Sequence, residues 1–168
     1  MNKSATIKHI NTFRKVSYYS LCLNGERSSM FEKFRDTWLG NKNHRDDLVL
    51  IMGWIKRMGE REGALERYFR HEGKAHALPP PATYTERETG DLRLYCMVVN
   101  PNLIFLFSGA AKTTIKAQDC PYVSGHFRDA TMFSSLLEQA IKQKELKPSN
   151  SFINHHLIIE EGFELIYT

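Results

Sequence analysis

The sequence has few cysteines and no long apolar run. Its three cysteines, Cys22, Cys96 and Cys120, share no Cys-x-x-Cys spacing, which argues against a disulfide framework and against a structural zinc site. We therefore predict that each is a small buried residue in a reducing compartment, the cytoplasm. No window approaches the roughly 18 apolar residues of a membrane helix. The polar start MNKSATIKHINTFRK lacks the apolar core of a signal peptide, so neither a membrane span nor secretion is expected.

The composition is that of a soluble globular protein. Hydrophobic residues make up 42% of the 168 residues and charged residues 25%, which excludes global disorder and low-complexity character. A chain of this length buries roughly 70% of the surface that it exposes when unfolded. We therefore predict one domain that spans residues 1–168.

Charge is unevenly distributed along the chain. The net charge is 23 − 19 = +4, and residues 1–16 contain four basic residues and no acidic one: Lys3, Lys8, Arg14 and Lys15. Residues 148–168 contain three glutamates and no lysine or arginine. The basic N-terminal leader is a candidate contact for a polyanion, and the alternative is a leader that is merely solvated.

The first half of the chain predicts one strand and two helices. The β-prone run at residues 16–23 indicates a strand that ends at the turn Asn24-Gly25. Ser28-Ser29 precedes MFEKFRDTWLG, whose apolar residues have helical spacing. Asp46-Asp47 begins a second helix, and ALERYFRHEGKAHALPPP is expected to continue it for a turn or two before the prolines.

The second half predicts a central hairpin, a long helix and a C-terminal strand. LRLYCMVVN and NLIFLFSG are apolar, strand-like runs separated by the turn signal Asn100-Pro101. A polar loop at residues 110–118 precedes a helix over residues 124–145, and FINHHLIIEEGFELIYT indicates a last strand or two. The predicted class is α+β: a small antiparallel sheet with two N-terminal helices and one C-terminal helix packed on it.

Standard catalytic and metal-binding signatures are largely absent. The sequence contains no Gly-rich phosphate loop, Gly-x-Ser-x-Gly, His-Glu-x-x-His or paired Cys-x-x-Cys. His155 and His156 are adjacent, and neighbours on a strand point to opposite faces, so we expect one packed histidine, one exposed histidine and no metal site.

Basic and aromatic residues that could meet on one face form the candidate nucleic-acid site. Arg93 and Tyr95 have the two-residue period of one strand face. His126 and Arg128 open the last helix, whose N-terminus favours anions. The other candidates are clustered before the prolines or follow the hairpin: Arg67, Tyr68, Arg70, His71, Lys74 and Lys112. Together they would suit an RNA backbone and stacked bases.

Each candidate also has an ordinary structural explanation. Arg93 could pair with Asp91 or with a glutamate, and Lys112 could be a solvated loop residue. Tyr68 and Phe69 could be core residues of the second helix, and His126 could serve only as a polar residue at a helix start.

The hairpin and its loop, LRLYCMVVNPNLIFLFSGAAKTT, resemble the RelE/ParE/HigB superfamily of bacterial toxins, in particular the HigB-like, phage-derived branch. That family has a strand with an arginine near a tyrosine, a short turn, an apolar strand, and a glycine-containing loop with lysine and threonine. The order of strand, two helices, antiparallel strands and closing helix is also similar. The resemblance covers about residues 48–145 and implies a RelE-like fold.

The resemblance implies a type II toxin that cleaves mRNA in association with the ribosome, without a metal or other cofactor. It places Arg93 at the scissile phosphate and Lys112 at the basic position of the following loop. From the chemistry of 2′-hydroxyl attack, His71 and His126 compete as acid or base. Arg70, Lys74 and Arg128 would hold the backbone, and Tyr68 or Tyr95 would stack a base. Arg67 is a further RNA-binding candidate.

The implied partner is a cognate antitoxin, expected to be a helix-turn-helix protein, whose acidic or amphipathic element covers Arg93. No membrane partner is expected. Two alternatives remain open at this point: a gyrase-inhibiting toxin of the ParE kind, and a noncatalytic RNA-binding or phage-defence module.

Overall fold

The computed structural model describes residues 2–72, 75–78, 92–111, 124–149 and 155–168, with the backbone alone for His71 and Glu72. Within them the chain forms an α+β fold. Its main sheet has seven strands in the order β3-β4-β5-β6-β2-β1-β9. The strands are β1 (Lys3–Thr12), β2 (Ser17–Leu23), β3 (Arg70–Glu72), β4 (Ala75–Leu78), β5 (Leu92–Asn100), β6 (Leu103–Ala111) and β9 (Leu165–Tyr167). A second sheet pairs β7 (Leu146–Pro148) with β8 (Leu157–Ile159).

The sheet is mixed, which corrects the prediction of an antiparallel one. β2 pairs with β6 in parallel, with Ser17 opposite Leu103 and Tyr19 opposite Phe105. The other pairings in the main sheet are antiparallel. The sequence pattern identified both strands but could not give their relative direction, because the helices and the strands between them separate β2 from β6.

The three α-helices are α1 (Met30–Leu39), α2 (Arg45–Arg57) and α3 (Ser124–Lys142). The Ser29 side chain accepts from the backbone N–H of Glu32, and the Glu32 carboxylate accepts from that of Ser29, so α1 begins with a capping box. A short π-helix, Met58–Glu62, follows α2. None of the helices within the described ranges combines the length and the apolar character needed to cross a bilayer.

Hydrophobic side chains cover both faces of the sheet. On the α1/α2 face, Leu92, Leu94 and Cys96 of β5 belong to a core with residues of α1 and α2 such as Phe34 and Ile51. On the opposite α3 face, Tyr95 of β5 belongs to a second core. This core also contains Phe105 and Phe107 of β6 and Phe133 and Leu137 of α3. The prediction of a central hairpin covered on both sides is confirmed.

Two segments differ from their predicted structures. The basic leader forms β1, which pairs with β2 and with β9. The residues expected to prolong α2 instead form the π-helix, a 3₁₀ turn at Glu66–Tyr68 and the hairpin β3–β4. This hairpin depends on tertiary pairing, because β4 is hydrogen-bonded to β5. Pro79 to Pro81, Cys120 and residues 112–118 of the predicted loop lie outside the described residues.

Candidate nucleic-acid interface

Arg93 lies on β5 and is buried, with 4% of its surface exposed. Its Nη1 donates to the carbonyl oxygen of Leu92 at 3.0 Å. The neighbouring strand comes very close, since a Cβ on Gly109 would overlap the Arg93 carbonyl oxygen. Arg93 is therefore a fixed, interior group of the sheet and does not line an open groove.

Tyr95 follows on the same face of β5 and is fully buried. Its ring meets the ring of Phe127 edge to face, with 6.0 Å between the ring centroids. The first turns of α3 therefore cover Tyr95. This position does not allow Tyr95 to stack an RNA base, which corrects that predicted role.

His126 and Arg128 flank Phe127 at the start of α3. His126 is half-buried, and Arg128 is exposed. Burial lowers the pKa of His126 below its ordinary value, and the Asp129 carboxylate opposes this shift only in part. His126 is therefore mostly neutral at pH 7, as a proton acceptor must be.

Arg70 lies in the edge strand β3 and is exposed. It is directly opposite Ala77, which is in turn opposite Tyr95, so these three positions share the α3 face. His71 belongs to the same strand, but its side chain lies outside the described residues. Lys74 and Lys112 also lie outside them.

Tyr68 lies on the other side of the sheet. It is buried in the α1/α2 core, and its ring is 4.5 Å from that of Trp54. Arg67 lies over the Tyr68 ring at 5.1 Å and donates to a Glu62 carboxylate oxygen at 2.9 Å. The sheet therefore separates Arg67 and Tyr68 from Arg93 and Tyr95, and the ten predicted residues do not share one surface. Tyr68 is a core residue, as is Phe69.

Sequence reasoning missed a second arginine–aromatic pair beside this one. Arg57 lies over the Trp54 ring at 5.6 Å and donates to Glu62 at 3.3 Å. Partial burial acts to raise the pKa of Glu62, but the hydrogen bond from Arg67 and the two guanidinium charges outweigh it and lower the pKa. The i, i+3 spacing of Trp54 and Arg57 on α2 was the available signal.

The adjacent histidines have different surroundings. His155 is buried, with Nδ1 3.0 Å from the Ser17 hydroxyl and Nε2 2.8 Å from the Arg14 carbonyl oxygen. His156 is half-buried. The expectation of one packed histidine is confirmed for His155. In the described part of the chain, no three His, Cys, Asp or Glu side chains are grouped as metal ligands.

Two cavities flank the last residues of β5. One, of about 310 Å³, lies between this strand and the segment after α2, and its lining includes Phe69 and Pro101. The other, of about 380 Å³, is bounded by α3, and its lining includes Ser134 and Glu138. Both are also lined by His76, Val98 and Val99, so the cavities adjoin the same stretch of strand.

Comparisons with protein-family models, with curated proteins and with solved structures gave no match to this chain.

Proposed function

We propose that this protein is the toxin of a type II toxin–antitoxin pair and acts as an endoribonuclease on mRNA. The order of elements supports this proposal. From β2 to α3 the chain runs through a strand, two helices, antiparallel strands and a closing helix. This is the order that the resemblance to the RelE/ParE/HigB superfamily implies.

The observation that carries the proposal is the grouping of basic residues around the α3 face. Arg93 is in β5 on the face that α3 covers, and Arg70 is at the edge of that face. His126 is in the first turn of α3, and Arg128 follows it in the next turn. A helix N-terminus carries a partial positive charge, so the Arg128 guanidinium near it costs stability. An RNA phosphate at this end of α3 would offset that repulsion.

The side chains suit distinct roles in cleavage. Neutral His126 would accept the proton of the attacking 2′-hydroxyl, since its lowered pKa keeps the imidazole unprotonated at pH 7. The exposed guanidinium groups of Arg70 and Arg128 would bind the backbone. Buried Arg93 would act as a fixed positive charge beneath the site, and its interior position strengthens its field. We thus assign Arg93 a positioning role in place of direct phosphate contact.

Inducible expression in bacteria tests this proposal. We expect wild-type protein to arrest growth and to generate new mRNA 5′ ends within translated frames. His126→Ala should reduce cleavage by roughly 100-fold. The double variant Arg70→Ala/Arg128→Ala should weaken it by about 10-fold through lost phosphate contacts. His156→Ala is the matched histidine control and should remain active.

A matched double variant on the opposite face decides where RNA binds. Arg57→Ala/Arg67→Ala removes the same number of exposed guanidinium groups from the α1/α2 face. This variant should still arrest growth. Growth arrest with DNA damage and without RNA cleavage would instead identify a gyrase inhibitor.

A noncatalytic RNA-binding module is the second candidate, because Arg57 and Arg67 are exposed above aromatic rings on the α1/α2 face and could stack bases on their guanidinium planes. The two double variants would then give the opposite results. RNA binding would persist in the Arg70→Ala/Arg128→Ala protein, would be lost in the Arg57→Ala/Arg67→Ala protein, and no RNA would be cut.

A further inference from the structure

A cavity of about 380 Å³ lies between the end of β5 and the middle of α3. Met97 and Val99 share one face of β5 and form one of its walls. Ser134, Glu138 and Ile141 recur every three or four residues along α3 and form the other wall. The volume is at the lower end of the range of small-molecule sites, roughly 300–1,000 Å³, so it suits a ligand of one or two rings.

The polar residue inside this cavity is Ser134. It is 3% exposed, and among the residues that the structure describes none forms a hydrogen bond with its hydroxyl. Thr131, on the preceding turn, shows the usual arrangement in a helix, since its hydroxyl donates to the Phe127 carbonyl oxygen at 3.0 Å. A buried hydroxyl without a partner destabilises a fold, and alanine would favour the helix more. The Ser134 hydroxyl is therefore placed to bind a group that enters the cavity.

The charged groups of the cavity lie at its mouth and neutralise each other. Glu138 and Lys142 are exposed, and they form an i, i+4 ion pair with 3.6 Å between Oε1 and Nζ. This balance favours a neutral ligand over an anion or a cation. A carboxylate accepts up to about four hydrogen bonds, so Glu138 can accept from a ligand while it pairs with Lys142.

A nucleobase has the shape and the polar edge that these groups require. Its flat ring can lie between the apolar side chains of β5 and α3, since pockets that read single bases hold them between apolar residues. Ser134 can donate to a ring nitrogen, and Glu138 can accept from the adjacent exocyclic amine. Cytosine and adenine carry this pair of groups. Uracil has a carbonyl oxygen in place of the amine, which the Glu138 carboxylate would repel.

We propose that this cavity binds a cytosine or adenine base of the RNA substrate, with the Ser134 hydroxyl and the Glu138 carboxylate reading its edge. Ser134 lies two turns after His126 on α3, about 12 Å along the helix axis, so one short strand can reach both positions. The identification of the ligand as RNA rests on the proposed function. The ligand site itself rests on the cavity and on the Ser134 hydroxyl.

Titration of the full chain with free nucleosides, followed by NMR, tests the base preference. We expect cytidine and adenosine to shift the resonances of the Met97 and Val99 methyl groups and of the Ser134 amide. Uridine matches cytidine in size and should bind about 10-fold more weakly, the effect of about one hydrogen bond. Glu138→Gln should remove this difference, because an amide both donates and accepts.

The serine has a second test that needs no ligand. Ser134→Ala should raise the melting temperature by about 2–4 °C, because it removes the unpartnered hydroxyl. The same change should weaken cytidine binding about 10-fold. Ser135→Ala is the matched control, since Ser135 is half-buried and lies outside the cavity lining. It should leave binding unchanged and raise the melting temperature less, through helix propensity alone. Ser134→Met should fill the cavity and abolish binding.

Equal or stronger binding of uridine, or no resonance shift at the cavity residues up to about 10 mM nucleoside, would overturn the inference. So would a lower melting temperature for Ser134→Ala than for Ser135→Ala, since the hydroxyl would then have a structural partner. RNA cleavage is an independent readout. Cleavage without nucleoside binding would reject the base site alone, and nucleoside binding without cleavage would reject the nuclease alone.

Discussion

The two faces of the sheet differ in how their helices begin and in the charge that they bury. On the α1/α2 face, α1 starts with the capping box of Ser29 and Glu32, and α2 starts with Asp46 and Asp47. These acidic groups complement the helix dipole. On the α3 face, the first turn of α3 contains no acidic residue. It contains His126 instead, followed by Arg128.

The buried charged residues also differ between the two faces, with an acidic one on the α1/α2 face and a basic one on the α3 face. Asp47 is 3% exposed and accepts from the backbone N–H of Leu92 at 3.4 Å, whereas Arg93 is 4% exposed and belongs to the opposite face. The α1/α2 face is therefore arranged for stability, with Glu32 and Asp47 each beside a hydrogen-bond donor. On the α3 face, Arg128 and buried Arg93 lack an acidic residue in the first turn of α3 to complement them, and an anionic ligand could take that place.

The largest expected effect comes from disturbing the strand pair that holds Arg93. Gly109→Ala places a methyl group against the Arg93 carbonyl, so β5 and β6 must separate. We expect a loss of about 3 kcal/mol in the free energy of unfolding, measured by chemical denaturation. Gly53→Ala is the contrasting change, because nothing lies within 4 Å of the added carbon on α2. It should stabilise the protein by about 1 kcal/mol. Equal effects of the two variants would contradict the close approach at Gly109.

Much of the α1/α2 face could be predicted from local sequence. The cap at Ser29, the start of α2 near Asp46 and the buried stripe with Phe34 and Ile51 follow from helical periodicity and capping chemistry, which act within one turn. The hairpin β5–β6 was equally predictable, since its turn and both of its apolar runs are continuous in the sequence.

The failures lie where distant segments decide the structure. β1 has an alternating pattern around Ala5 and Ile7, but its lysines suggested a solvated leader. β3 and β4 are short and polar at several positions and need β5 to pair with. Tyr68 directly follows Arg67, and Tyr95 is two residues after Arg93. Only the fold shows that the sheet separates them, because the face that a side chain occupies depends on strand register.

Removing the cap of α1 tests the stability assigned to the α1/α2 face. The buried Ser29 hydroxyl accepts from the Glu32 N–H at 3.1 Å. Ser29→Ala should cost about 1 kcal/mol of unfolding free energy, because that N–H then lacks its partner. Ser28→Ala, at the exposed neighbouring position, should change stability by less than about 0.5 kcal/mol. A similar loss in both variants would show that the cap itself contributes little.

The pH dependence of the free energy of unfolding at acidic pH also tests the start of α1, with a smaller expected effect. The hydrogen bond from Lys8, at 2.8 Å, and the one from the Ser29 backbone lower the pKa of Glu32 to about 2 from its ordinary 4.5. Stability from this group is present above pH 4.5 and is lost as the pH falls toward 2. Glu32→Gln should therefore flatten the stability curve in that window. Chemical denaturation between about pH 2 and pH 5 measures this slope, and an unchanged slope in Glu32→Gln would contradict the role of Glu32.

The smallest expected effect is the pH dependence of stability that His126 contributes. The response of the same histidine to RNA shows most directly which face of the sheet binds RNA. Because burial lowers the pKa of His126, the unfolded chain binds a proton more readily than the folded one. Stability should thus rise with pH up to about 6.5, and His126→Gln should remove that slope. An RNA phosphate bound beside α3 would favour the charged imidazole, so titration with a noncleavable oligonucleotide should raise the pKa of His126 in NMR spectra. An oligonucleotide that leaves this pKa unchanged but shifts the Trp54 indole resonance would place RNA on the α1/α2 face.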